Sequence, residues 1–571
     1  MDMMSNIAAL TAETLAAAFP GVAGLPEAEA LRGLLEVPPD PKLGDYAFPC
    51  FRLAKVLRKA PPMISDAVAA AWQHGDVARV ESVKGYLNFF LNRSSFAEST
   101  VKAVLAANGK WGADTVGEGK TVCLDYSSIN IAKRFHIGHL STTMIGHSLK
   151  RIYDYLGYTT VGINHLGDWG TQFGKMICAY KKWGSREEVE AGGVQAMVDL
   201  YVRFHKEAEA DPALEDEGRA WFKKIEDGDP EATEIFSWFK EVTLKDVQRV
   251  YDILGVTFDS YNGEAFYNDK MAPVVAELKE KNLLTESQGA QVVMLDDYGM
   301  NPALILRSDG ATLYITRDLA AAFYRHNTYH FDKCLYVVAY QQDLHFRQLF
   351  KILELMGCDW VKGMEHVSFG MVSYEGRALS TREGYVVYLE DLLNKAIEKA
   401  REIIEQKSPD LPNKDEVARQ VGVGAVVYFD LHNDRTKDID FRWDTALNFD
   451  GETGPYVQYT YARCCSVLRK APAQTAAPDF SALLDDEANA LLLLLSRFPD
   501  VVKEAADRNE PSIITRAVTS IAQAVNKYYY EHRILDDDPA ATAARLQLID
   551  AARSVIKSGL WLIGMEAPER M

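Results

Sequence analysis

The chain has 571 residues, more than one ordinary core holds, so three or four units of roughly 100–200 residues are expected. With 48% apolar and 25% charged residues, its composition is that of a folded globular protein and excludes a collagen-like or wholly disordered chain. The net charge of -19 neither identifies nor excludes a polyanionic partner, because binding depends on where Lys and Arg lie and not on their sum.

No apolar stretch is long enough to cross a bilayer. The first residues carry Asp2 and Glu13 but no Lys or Arg, so they read as an amphipathic helix rather than a secretory signal, and a cytoplasmic location without membrane contact is expected. Seven cysteines are scattered with no CxxC pair and no histidines at zinc spacing; they read as reduced thiols, and no protein-held metal is expected.

In chain order, residues 1–118 form the first expected domain. It opens with helical periodicity, is broken at Pro38-Pro39 and Pro61-Pro62, and closes on the strand-like Gly85-Tyr-Leu-Asn-Phe-Phe-Leu91. Arg52, Lys55, Arg58 and Lys59 cluster on one short stretch, which as a pattern is equally a solvated helix face. The second expected domain, 119–390, begins with the buried strand Thr121–Asp125. A helical pattern from about Thr142 to Leu156 and a strand near Val161-Gly-Ile-Asn164 follow, which together make a βαβ unit with a parallel sheet. Residues of about 185–250 are charged and helical, an insertion into that domain. Leu335-Tyr-Val-Val-Ala339 is the best later parallel strand, and His366-Val-Ser-Phe-Gly-Met-Val-Ser373 is strand-like as well. The third expected domain, 391–571, reads as helices. The fold class is therefore α/β: a Rossmann-type parallel-sheet domain between an α+β N-terminal domain and an all-α C-terminal one.

His136 and His139 fall where the first parallel strand turns into its helix. A helix start offers unpaired backbone N–H groups and a positive dipole end, which suits a polyphosphate. Gly138 lets a flat ligand approach the backbone with no Cβ in the way. Two imidazoles three residues apart can donate to phosphate oxygens as charge builds during displacement at phosphorus. A bare His-x-x-His is equally an exposed helix cap, so the flanks decide.

The run Ser127-Ser-Ile-Asn-Ile-Ala-Lys-Arg-Phe-His-Ile-Gly-His-Leu140 resembles the "HIGH" signature of class I aminoacyl-tRNA synthetases, in the form carried by the arginine members. Ile129 and Arg134 stand where Pro is common in that family. Asn164-His-Leu-Gly-Asp-Trp-Gly-Thr-Gln-Phe-Gly174 is similar to the family's second block, in the same order. The resemblance implies ATP as substrate, with Mg²⁺ accompanying it, and a second signature loop, usually Lys-Met-Ser-Lys-Ser. Here that loop is Gly376-Arg-Ala-Leu-Ser-Thr-Arg-Glu-Gly384, without its second lysine. ATP would then meet Lys133, His136, Gly138, His139, Ser380, Thr381 and Arg382. Lys133 is expected to take over the lost lysine's role, because Arg382 is a poorer point donor. His136, Gly138, His139 and Lys133 are the expected catalytic residues.

A guanidinium is planar, permanently charged and five-donored, and carboxylates at fixed angles are its natural receptor. Asp125, Tyr314 and Asp318 would contact that end of arginine by resemblance, in the block Ala311-Thr-Leu-Tyr-Ile-Thr-Arg-Asp318. Ser128, Asn130 and Gln342 would hold the α-amino and carboxyl end, the last in Val337-Val-Ala-Tyr-Gln-Gln-Asp-Leu-His345. An ion pair of Asp318 with Arg317 or Arg325 is the competing reading. Asp125 stands where some relatives carry Glu, which leaves its reach shorter.

The implied partners are ATP, L-arginine and its tRNA, with the chain acting as a monomer. Phe449–Arg463 and Asn526–Ile534 resemble the family's helical anticodon-binding domain. Tyr459, Tyr461, Tyr528 and Tyr529 could there stack unpaired bases, although aromatics at helical spacing are often core. The N-terminal block resembles the appended domain that meets the tRNA elbow, which would turn Arg52, Lys55 and Arg58 toward phosphates. Rival readings are another class I specificity such as glutamine or cysteine, a small nucleotidyltransferase, and a non-catalytic tRNA-binding paralogue. The missing zinc ligands, the long additions at both ends and the intact signature residues speak against them in turn.

Overall fold

The computed structural model describes residues 3–38, 40–75, 77–308, 312–379, 386–448, 451–473 and 476–571. The chain forms two compact units. One is built from Met1–Trp111, Arg463–Asp500 and Ser520–Ser558, the other from Gly112–Ala462, Val501–Thr519 and Gly559–Met571.

In the first unit, α1 (Met3–Ala18) and α2 (Pro61–Ala71) accompany an antiparallel sheet of β1 (Tyr46–Pro49), β2 (Val77–Val83) and β3 (Tyr86–Leu91), in the order β1-β3-β2. The Pro61-Pro62 pair starts α2, where a missing N–H costs nothing. Lys84 and Gly85 both take positive φ at the β2–β3 turn, the geometry a two-residue hairpin requires. Tyr46, Phe48 and Phe89 are fully buried at its core.

The second unit is organised on a parallel sheet of β4 (Thr121–Asp125), β5 (Thr159–Ile163), β9 (Lys333–Tyr336) and β10 (Met364–His366), in the order β10-β9-β4-β5. Residues Val122 to Asp125 are buried on both faces, as a central parallel strand must be. The chain leaves β4 through α3 (Leu140–Tyr155) to reach β5 on one side, and returns much later to β9 on the other. The carboxyl end of β4 is thus the topological switch point, the place where such sheets open a crevice.

The expected insertion is three helices: α4 (Arg186–Ala210), α5 (Ala213–Glu226) and α6 (Pro230–Leu254). Ser185 and Glu188 close a capping box at the start of α4. Asp229 caps α6, with Pro230 at its first position and a left-handed Gly255 ending it. A small antiparallel sheet follows, β6 (Thr285–Ser287), β7 (Ala290–Val293) and β8 (Ala303–Leu306). Next come α7 (Tyr314–Tyr329) and α8 (Asp343–Leu355), the helices on either side of β9 in the chain.

The region read as one strand around 366–373 is two. After β10, Val372–Tyr374 (β11) belongs to a separate sheet with β12 (Arg377–Ala378) and β13 (Ile439–Phe441). β13 follows the helix α9 (Lys414–His432), so the C-terminal part is helical apart from this strand; longer helices span Gly454–Lys470, Asp486–Asp507, Ser512–Glu531 and Pro539–Leu562. The α/β architecture with an α+β N-terminal block and a helical C-terminal region is therefore as expected. All seven cysteines are buried free thiols.

Candidate active site

The segment leaving β4 is held in an unusual backbone. Ser127, Ser128 and Ala132 all have positive φ, at 70°, 46° and 59°. Such positions in non-glycine residues persist only where surrounding bonds over-determine them, and they gather at functional sites. Here the bonds come from several elements. Ser127 N donates to Thr142 Oγ1 at 3.0 Å. Its own hydroxyl lies 2.7 Å from Tyr251 Oη and 2.9 Å from Thr143 Oγ1. Ala132 N donates to Thr243 Oγ1 at 3.1 Å. Tyr251 and Thr243 both lie on α6. Asn164, fully buried in the second block, donates to the same Tyr251 hydroxyl at 2.8 Å. Gly167 pairs with Asn130, and a Cβ there would sit 2.3 Å from Asn130 Oδ1. Only glycine leaves room for that side chain.

The histidine turn is a short 3-10 turn, Ile137–His139, that runs directly into α3. Gly138 N donates to His136 Nδ1 at 3.1 Å, and His136 N donates to His139 Nδ1 at 3.2 Å. Each Nδ1 is therefore an acceptor, which places the ring proton on Nε2. Burial, with the nearby Lys133 charge, lowers His136 to about 4. Burial and the neighbouring His136 lower His139 to about 3. Both rings are neutral Nε2–H donors at ordinary pH. His139 also stacks on Phe135, with centroids 5.0 Å apart. A Cβ at Gly138 would meet the His136 ring at 2.9 Å, so this glycine makes space for an imidazole as well as for any flat ligand.

The second signature loop reaches the turn from both ends. Ser380, Thr381 and Arg382 fall outside the described residues, but their flanks do not. A Cβ on Gly138 would come within 3.8 Å of Leu379 Cδ1. On the far side Ile137 N donates to Val387 O at 2.9 Å, and Leu389 N donates to Phe135 O at 3.0 Å. The Arg134 guanidinium lies over the Tyr388 ring at 3.4 Å. Lys133 is exposed, has no ion-pair partner among the described residues, and borders a cavity of about 610 Å³ together with Trp238 and Lys245 of α6.

The residues expected at the arginine end lie on two helix starts. Tyr314 and Asp318 are four apart at the start of α7 and so share a face, and Gln342 is the N-cap of α8 with His345 three residues on. Tyr314 is 65% exposed and Gln342 is exposed. Asp125, Asp168 and Asp318 surround His165, with Glu264 beside the last two, and three of these four carboxylates carry a strong cation. Asp125 accepts from Arg325 Nη2 at 2.7 Å; Asp168 accepts from Lys240 at 2.8 Å; Glu264 lies 3.4 Å from Arg317. Burial pushes Glu264 up to about 7, against the pull of Arg317. Asp318 alone meets histidines: His345 Nε2 at 2.6 Å and His165 Nε2 at 4.0 Å. Burial works to raise its carboxyl, and the hydrogen bond and charge of His345 outweigh it, so it stays below the usual range.

The competing reading for Asp318 fails on this geometry: it pairs with neither Arg317 nor Arg325. Asp125, expected at the guanidinium, is paired with the buried Arg325 and accepts from Ser128 Oγ at 2.7 Å. The sequence reading gave no role to His165, His345, Thr243 or Tyr251, and named Arg325 only as a competing partner of Asp318. His165 and His345 lie in quoted blocks and could have been found from them; Thr243 and Tyr251 carry no local signal.

Of the aromatic candidates, Tyr459 and Tyr529 are 42% and 43% exposed, whereas Tyr461 and Tyr528 are fully buried. A ring with no exposed face cannot stack a base in this structure, so the last two are core. Arg52, Lys55 and Arg58 are exposed and have no ion-pair partner among the described residues.

Comparison with known proteins gives a consistent result. The class I tRNA synthetase (R) catalytic domain matches residues 100–443. The DALR anticodon binding domain matches 457–571, and the arginyl tRNA synthetase N terminal domain matches 5–91. The arginine–tRNA ligase of Alkaliphilus metalliredigens is 52% identical over 552 residues, 96% of this chain and 97% of that one. That of Clostridioides difficile is 53% identical over 545 residues, covering 95% and 96%. Among solved structures, arginyl-tRNA synthetase of Thermus thermophilus superposes with a TM-score of 0.84 at 26% identity, over 100% of both chains. The chain belongs to the arginyl-tRNA synthetase family of class I aminoacyl-tRNA synthetases.

Proposed function

We propose that this chain, an arginine–tRNA ligase, activates L-arginine with ATP at the carboxyl end of β4 and passes it to the 3′ end of its tRNA. The observation that carries the arginine assignment is the charge pattern around His165: of the four carboxylates, Asp318 makes no ion pair with a Lys or Arg among the described residues. An incoming guanidinium supplies the missing cation, and a lysine ammonium lacks the fork to match. Tyr314 lines the same end. Ser128, Asn130 and Gln342 receive the α-amino and carboxyl groups, with Asp125 acting through Ser128.

Attack of the arginine carboxylate on the α-phosphorus expels pyrophosphate, and the terminal ribose of tRNA then attacks the aminoacyl carbonyl. No covalent enzyme intermediate is needed; alignment and charge stabilisation do the catalysis. His136 and His139 donate Nε2–H to phosphate oxygens, Gly138 keeps the turn open, and Lys133 supplies the cation the second loop lacks, beside Ser380, Thr381 and Arg382. Donors of this kind fit phosphate oxygens and not a metal, so Mg²⁺ would arrive on ATP and offset phosphate charge there.

Domain limits of 1–118, 119–390 with the insertion near 185–250, and 391–571 belong to this reading. So do a monomeric state and a cytoplasmic location; among the described residues no helix is long and apolar enough to cross a membrane. Exposed Arg52, Lys55 and Arg58 would face tRNA phosphates, and Tyr459 and Tyr529 its unpaired bases. The test is ATP–pyrophosphate exchange with each of the twenty amino acids, with and without tRNA, in the wild type and in Asp318→Asn. Exchange with arginine alone is expected, and the variant should need about tenfold to a hundredfold more arginine, the scale of a hydrogen-bonded charge. Wild-type arginine affinity in Asp318→Asn would remove the pocket assignment.

A further inference from the structure

We propose that His345 is a positioning residue for substrate selection, holding Asp318 so that one carboxylate oxygen is presented, unshared, to the guanidinium of arginine. This rests on Asp318 being the receptor.

The terminal torsion of an aspartate is broad, so a carboxylate held at no point can turn its oxygens over a wide range. His345 Nε2 stands 2.6 Å from Oδ2 and fixes that rotation. The other oxygen, Oδ1, faces His165 Nε2 at 4.0 Å, too far for a hydrogen bond. Arg325 Nη2 lies 3.4 Å from His165 Nδ1, and a guanidinium only donates, so Nδ1 is the acceptor and the His165 proton sits on Nε2, toward Oδ1. His165 therefore polarises the space in front of Oδ1 without closing it. Among the described residues no donor occupies Oδ1 at bonding distance.

The choice of histidine has a chemical sense. A lysine or arginine at position 345 would neutralise Asp318 permanently, as Arg325 does Asp125. An imidazole orients the carboxylate through a single Nε2 hydrogen bond and leaves the second oxygen for the substrate. Gln342 stands at the N-cap of the helix that carries His345, so the two proposed ends of the substrate are read from adjoining positions at the start of α8.

The experiment compares His345→Leu and His345→Gln with wild type and Asp318→Asn, measuring KM for arginine, KM for ATP and kcat in aminoacylation. Loss of a hydrogen bond to a charged group should raise the arginine KM of His345→Leu about tenfold to a hundredfold. Its ATP KM should stay within about threefold, and kcat should fall less than KM rises. The glutamine amide, whose nitrogen reaches the place of Nε2, should recover most of the loss. Wild-type arginine KM in His345→Leu overturns the proposal, as does equal loss in the leucine and glutamine variants. Should the leucine variant not fold, His345→Ser takes its place under the same criteria. If Asp318→Asn itself keeps wild-type arginine KM, the reading of the pocket fails; if it loses affinity while His345→Leu does not, only the role of His345 does.

Discussion

Replacing Arg325 by Met tests the buried ion pair it makes with Asp125. The two side chains are 1% and 7% exposed and meet at 2.7 Å. Once the guanidinium is gone, the Asp125 carboxylate keeps a single donor among the described residues, the Ser128 hydroxyl. Removing one partner of a buried pair strands the other charge, at a cost of about 3–5 kcal/mol. Coulomb attraction at an effective dielectric of 20 gives a similar figure, about 4 kcal/mol at 4 Å. With a urea slope of about 3 kcal/mol/M, the unfolding midpoint should fall by roughly 1 M or somewhat more. The double variant Arg325→Met/Asp125→Asn removes both charges, and should recover most of that loss, since a neutral, well-packed pair is often as stable as the ionic one. Urea titration followed by circular dichroism on all four proteins gives the cycle. A single variant as stable as wild type, or a double variant as weak as the single, would refute the reasoning.

The low values of His136 and His139 fix a pH dependence of stability. Folded values near 4 and 3 lie below the unfolded value of about 6.5, so their contribution is whole above pH 6.5 and is lost as pH falls toward 4, where the unfolded chain takes up protons first. For His136 the loss amounts to roughly 3 kcal/mol, and urea midpoints of His136→Asn should fall less steeply than wild type between pH 6.5 and 4; parallel curves would count against the buried neutral rings. Lys133→Ala should cut ATP–pyrophosphate exchange at least about tenfold, a loss on the scale of a hydrogen bond to a charged group, with Arg382→Ala far milder. The reverse pattern would return the missing lysine's role to Arg382.

Much of the fold was legible because its signals are local. Thr121–Asp125 is a short apolar run that follows a glycine-rich turn, and the structure gives β4 those same limits. The insertion was legible from charge and 3.6-residue periodicity, and its true end at Leu254 is marked by Gly255. The split of residues 366–373 was not legible: Met364–His366 pairs with β9 and Val372–Tyr374 with β13, more than sixty residues on, and no neighbouring residue reports such a partner. The site divides in the same way. Tyr314 with Asp318, and Ser128 with Asn130, sit in continuous blocks. The Asp125–Arg325 pair joins residues 200 apart, and only the packing of α7 against the end of β4 makes it.

The insertion looked least informative, yet it sets the geometry of the turn that reads as catalytic. Three non-glycine residues in left-handed backbone cost of order 1–3 kcal/mol each, and Ser127, Ser128 and Ala132 spend several kcal/mol within six positions. The offsetting bonds at Ser127 and Ala132 include Tyr251 and Thr243 of α6. The same helix sends Lys240 to Asp168 in the second block, whose Asn164 shares the Tyr251 hydroxyl. A helix that supplies none of the expected arginine-binding residues thus bonds to both segments. Loss of these bonds from α6 would release the strained segment and, with it, the backbone that carries Ser128 and Asn130. Chemistry at the end of β4 therefore depends on the docking of a helix that begins more than a hundred residues downstream.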